Sequence, residues 1–432
     1  MKRLLTLIAA TAGIALAAQN PVFIPDAYNS DPQARVWTVD GEERLFIYGS
    51  RDENTAYYCS RRYDVFSTTD MIHWRGGESF SSDEVPYNNE FLYAPDCMEK
   101  DGKYYLYYSQ SGSGFVEGTA VSDSPYGPFR DGKPVEWAQQ IDPSVFVDDD
   151  GTAWLFWGQF SAKCAKLNPD MRSIDPTTIR DGIITESEHH FHEGIQAFKH
   201  NGTYYLVFAD ISRRGTPTCL GYATSDSVTG PYTYRGVIID NFGCDPAVWN
   251  NHGSVACFKG QWYVFYHRSS CGSVTMRSTC IEPIEILPDG SIPEVRMTST
   301  GAGDPLSPFV DDNLPARACM LKGHVRIDRD LHLSGIRGGD MAEWINFDFL
   351  VSPTTFSITV IPNTGGRIRV ATDLLYKAPL ATIEVPSGDG QTPITLEAKL
   401  NSSPIGILPL RLLFDGPDTS DLFTILSFSF KI

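Results

Sequence analysis

Asp101-Gly102-Lys103-Tyr104-Tyr105-Leu106-Tyr107-Tyr108 decides the fold, because the same phrase returns four more times along the chain. The other copies are Asp40-Gly41-Glu42-Glu43-Arg44-Leu45-Phe46-Ile47-Tyr48 and Asp150-Gly151-Thr152-Ala153-Trp154-Leu155-Phe156-Trp157, then Asn201-Gly202-Thr203-Tyr204-Tyr205-Leu206-Val207-Phe208 and Lys259-Gly260-Gln261-Trp262-Tyr263-Val264-Phe265-Tyr266. A Gly-bearing turn followed by aromatic and aliphatic residues is a hairpin signal. From Gly41 to Gly102, Gly151, Gly202 and Gly260 the steps are 61, 49, 51 and 58 residues. A strand-built repeat near that length is the mark of a β-propeller, and five copies predict five blades.

Upstream of each turn stands a polar residue at a similar offset. Asp31, Asp96, Asp142, Glu193 and His252 precede their Gly by 10, 6, 9, 9 and 8 residues. In a propeller the innermost strand of each blade begins near the central axis, so these side chains are predicted to converge. Carboxyls brought together repel, which drives their pKa values apart and suits acid–base chemistry. Asp96, at the shorter offset, is read as structural. A structural calcium near the axis, reached by His252 through water, is one reading of that histidine; a hydrogen bond to the acids is the other. Tyr93, His252 and Arg277 are placed in the pocket as substrate-binding residues.

A formal net charge of −18 argues against nucleic acid as a partner, since the basic footprint is missing. A neutral glycan fits better. Lys2 and Arg3 precede an apolar run from Leu4 to about Ala18, with Ala15-Leu16-Ala17 as a small-residue cleavage site. Residues 1–18 therefore read as a signal peptide and the protein as secreted, or periplasmic in a bacterium. That run falls short of the roughly 20 residues that span a bilayer, so no membrane span is expected. Nine cysteines in an exported chain suggest disulfides, with an odd one left over.

The chain divides at a stretch rich in Gly, Pro and small residues. Residues 19–300 form the propeller and 301–316 a linker. Residues 317–432 contain alternating segments such as Phe356–Ile361 and Ile394–Leu400 that predict a small β-sandwich of jelly-roll type. The fold class is all-β.

Asp31-Pro32 before a strand, Ile141-Asp142-Pro143-Ser144-Val145-Phe146, His192-Glu193-Gly194 and Asn251-His252-Gly253-Ser254, in this order around five hairpins, resemble the motifs of glycoside hydrolase family 43. The resemblance extends to Leu92–Asp96 and Glu282–Ile292 and covers roughly residues 20–300. More faintly, Gly339–Trp344 and Leu410–Phe414 resemble a family 6 carbohydrate-binding module.

The first resemblance implies an inverting glycosidase that needs no cofactor for its chemistry. It makes Asp31 the general base, Glu193 the general acid, and Asp142 the residue that raises the pKa of Glu193 and orients it. Such a pair stands about 6.5–9.5 Å apart to admit water. The implied activity is exo-acting α-L-arabinofuranosidase on plant polysaccharide. β-Xylosidase is the alternative, and an endo-arabinanase or a non-catalytic glycan-binding propeller stands further off.

Overall fold

The computed structural model describes residues 19–23, 27–111, 116–244, 250–310, 314–372 and 378–432; the expected signal peptide lies outside the described residues. The chain is all-β, and its single described α-helix is one turn, Glu186–His189. Five antiparallel sheets follow one another, each with its strands in chain order. Sheets one to four have four strands and sheet five has three. Their first strands are Asn29–Val39, Leu92–Lys100, Ser144–Val147, Phe191–His200 and Ser254–Phe258. Each of these touches the next, and the fifth touches the first, so the cycle closes.

The turn chemistry explains the hairpins. Asp40-Gly41, Asp101-Gly102, Asn201-Gly202 and Lys259-Gly260 all hold both residues at positive φ, the two-residue hairpin geometry that matches strand twist. The third copy differs: Asp148 to Gly151 close a longer loop, and only Gly151 of the Asp150-Gly151 pair is left-handed. Aromatics from neighbouring sheets interlock between them; Phe46, Tyr48, Tyr63, Phe80, Tyr108 and Phe129 share one buried cluster. The amino-terminal segment seals the ring, with Val22 N–H donating to the Thr279 carbonyl and Asn20 accepting from Ile281 N–H.

Beyond Met297 the chain enters a second core formed between two five-stranded antiparallel sheets. The alternating segments read from sequence are strands there, among them Thr355–Pro362 and Ile394–Lys399. Leu306, Leu314 and Ala316, from the stretch read as a linker, are buried in this core. Trp344 is fully buried too, its indole N–H donating to the Leu314 carbonyl at 2.6 Å. The two units meet at backbone level, where Leu321 N–H donates to the Gly243 carbonyl.

The expected disulfides are absent: the nine cysteines form none among the described residues. Most are buried inside the sheets, where Cys97, Cys164 and Cys280 pack as small apolar side chains. No helix of the described residues is long and apolar enough to cross a membrane.

Candidate active site

The first strands do not run regularly into the centre of the ring. Their pairing slips between Ser30 and Gln33, between Tyr93 and Asp96, and around Glu193. Asp31, Ala94, Asp142 and Gly194 all take positive φ at these entries. Bulges re-aim side chains, and backbone strain of this kind collects at functional sites. Here the result is one cavity of about 230 Å³, whose lining includes Asp31, Tyr93, Asp142, Glu193, His252 and Arg277. Six of the seven residues singled out in the sequence thus meet in one place, although they span 246 positions of chain; Asp96 is not in the lining.

Asp31 is almost fully buried. Its backbone N–H donates to His267 Nδ1 at 3.1 Å, and Arg277 Nη1 donates to its carboxylate at 2.8 Å. Burial alone would raise its pKa, but the Arg277 guanidinium beside it outweighs burial and holds Asp31 well below the usual carboxylate range. Asp31 is therefore ionised.

Asp142 has the opposite balance. Burial first, then the charges of Glu193 and Asp31, push its pKa well above the ordinary value, against a hydrogen bond from Gly194 N–H. Asp142 therefore holds a proton more tightly than an ordinary aspartate does. Glu193 is held from the other side by Gln159, whose amide Nε2 donates to Oε2 at 2.7 Å.

Arg277 lines the cavity while its guanidinium is committed to acids. It makes a two-pronged contact with Asp52 through Nε and Nη2, both at 2.9 Å, and reaches Asp31 and Cys59 as well. His252 stands with Nδ1 3.8 Å from Asp31 and 3.9 Å from Asp142. Burial lowers its pKa against the pull of Asp31 and Glu193, so the ring is neutral. Burial, then Arg277, takes His267 down to about 3, consistent with its Nδ1 accepting a hydrogen bond.

Calcium takes six to eight oxygen ligands. Around His252 stand one imidazole and carboxylates already engaged elsewhere, which do not form such a cage. The one described group of three close metal-ligating side chains is Asp328, Asp330 and His332, in the second unit. Asp96, as expected, is structural: it binds Arg35 and accepts from Val145 N–H, tying three sheets together.

Asp52, Cys59, Tyr58, Gln159, His267 and Asn250 complete the site and were not singled out by the backward offset. Gly194 has a sharper role than its motif suggests. At φ +69° a Cβ would lie 3.0 Å from the His252 ring. Gly194→Ala is expected to cost about 1–2 kcal/mol from the left-handed backbone alone. It should also displace His252, read as a lower melting temperature together with lower turnover.

An arabinoxylan arabinofuranohydrolase of Bacillus subtilis is 29% identical over 94% of this chain and 90% of its own length. A crystal structure of a B. subtilis family 43 arabinoxylan arabinofuranohydrolase with cellotetraose covers 96% of this chain and 99% of its own, at 27% identity and a TM-score of 0.53. A xylosidase/arabinosidase of Thermoclostridium stercorarium is 33% identical, over 63% of this chain and 66% of its own length. The family model for glycosyl hydrolases family 43 matches residues 19–292, the whole cycle of sheets that builds the cavity. The chain belongs to that family and is a glycoside hydrolase acting on O-glycosyl bonds.

Proposed function

We propose that this protein is an inverting, exo-acting α-L-arabinofuranosidase that removes arabinofuranosyl groups from plant polysaccharide. In this reading the five sheets are the blades of a propeller, and the second unit is a β-sandwich resembling a carbohydrate-binding module. Asp31, ionised beside Arg277, takes a proton from the attacking water. Glu193, steadied by Gln159, gives its proton to the departing glycosidic oxygen. Asp142 keeps that proton on Glu193 by like-charge repulsion. An oxocarbenium-like transition state is served from both sides, as inversion requires. The chemistry uses these side chains alone. Export follows from the leader-like start of the sequence.

The observation that carries the choice of sugar is the extent of likeness. Arabinoxylan arabinofuranohydrolases match 93–94% of this chain, whereas the xylosidase/arabinosidase relatives match 62–63% of it. β-Xylosidase is the second reading, favoured by the relatives named for both sugars.

Initial rates on nitrophenyl α-L-arabinofuranoside, nitrophenyl β-D-xylopyranoside, arabinan and arabinoxylan decide between them. Arabinose release from the first and from arabinoxylan is expected. Xylose as the main product would replace the proposal with the second reading, and binding without hydrolysis of any of the four would overturn the enzymatic reading.

The charges set the pH profile. Asp31 stays ionised far below the usual carboxylate range, so the base does not limit activity under mildly acidic conditions. The alkaline limb reports loss of the general acid's proton. Asp142→Asn removes the negative charge that holds this proton, so the alkaline limb of kcat/KM should move to lower pH. A limb that stays in place would remove Asp142 from that role.

A further inference from the structure

Phe160 follows Gln159 directly, and Gln159 lines the cavity and holds Glu193. It is 51% exposed, and its φ of +64° is the left-handed region that bulky side chains avoid. A single exposed apolar residue is ordinary. An exposed aromatic held in a strained backbone gains little from burial, and strain of this kind persists only where its surroundings enforce it.

Here they do. The Phe160 N–H donates to the His192 carbonyl at 2.7 Å, and its carbonyl accepts from Glu186 N–H at 2.9 Å. Its ring meets the His192 ring edge to face, with centroids 5.1 Å apart and planes at 86°. His192 is itself fixed through Nδ1 to Glu186 at 2.9 Å. The aromatic is thus locked to the strand entry that carries Glu193.

We propose that Phe160 is the platform for the leaving-group sugar, which makes it a specificity-determining residue. The inference rests on the assignment of Glu193 as general acid. An acid that protonates the bridging oxygen must have the departing sugar beside it, and Phe160, next in chain to Gln159 and in ring contact with the neighbour of Glu193, is an exposed aromatic beside that acid. The class of ring it suits is a pyranose, whose axial C–H bonds form an apolar face that can lie on an aromatic. The sugar removed would therefore be carried on a pyranose backbone rather than on another furanose.

The test compares Phe160→Ala with wild type on two substrates, an arabinofuranosyl-substituted xylo-oligosaccharide and α-L-arabinofuranosyl fluoride. The fluoride carries no sugar for the platform to hold. Loss of one aromatic contact should lower kcat/KM on the oligosaccharide about tenfold. The fluoride rate should be unchanged, and Phe160→Tyr should retain wild-type rates on both. Phe160→Gly relieves the left-handed strain, so its melting temperature should not fall while its oligosaccharide rate does. Equal losses on both substrates, or no loss on the oligosaccharide, would overturn the platform. A wild-type enzyme that cleaves neither substrate would instead overturn the arabinosidase reading beneath it.

Discussion

Asp31→Asn is expected to lower kcat/KM on α-L-arabinofuranosides by about 10²–10⁴-fold, the usual worth of a positioned acid or base. The fold should survive the change. Arg277 keeps its two-pronged contact with Asp52 and its bond to Cys59, so no buried cation is stranded. The variant should still bind oligosaccharide, because what it loses is the ionised acceptor for the water's proton. Calorimetric titration with an arabinofuranosyl-substituted xylo-oligosaccharide, run beside the rate measurement, separates the two effects. Retained turnover with lost binding would assign Asp31 to the sugar rather than to the water.

Glu193→Gln should have an equally large effect that depends on the leaving group. A departing sugar is a poor leaving group and needs its proton, so turnover of oligosaccharide should fall by about 10²–10⁴-fold. A dinitrophenolate leaves without help, so dinitrophenyl α-L-arabinofuranoside should lose far less. The amide that replaces the carboxylate can still accept from Gln159, now the bond of 2.7 Å, and the entry to the strand keeps its shape. Equal losses on both substrates would deny Glu193 the role of acid.

The offset rule located the acids because a propeller repeats one geometry: counting backward from each hairpin Gly reaches the axis end of the first strand. Asp52, Gln159 and His267 escaped it because they lie on the other arm of the hairpin. The same signal was present in the forward direction. Asp52 follows Gly41 by 11 residues, Gln159 follows Gly151 by 8, and His267 follows Gly260 by 7. An antiparallel hairpin returns the chain to the level it left, so both arms end beside the cavity.

Other features had no sequence signal. The pairing of Arg277 with Asp52 and Asp31 joins the third strand of sheet five to sheet one across the ring closure. No local pattern announces such a contact. The cysteines misled because their number suggested secreted-protein disulfides, while their positions within apolar strands already placed them as packing residues. In the second unit, alternation revealed the strands, but only packing shows that Trp344 is a core residue rather than a surface for sugar.

The central claim is that Asp31 and Glu193 act from opposite sides of the scissile bond on water and leaving group in a single displacement. Proton NMR of the first sugar released from an α-L-arabinofuranoside, recorded before mutarotation, tests it most directly. The account predicts β-L-arabinofuranose as the initial product. Initial release of the α anomer would contradict it, because retention requires one of these carboxylates to have bonded to the sugar itself.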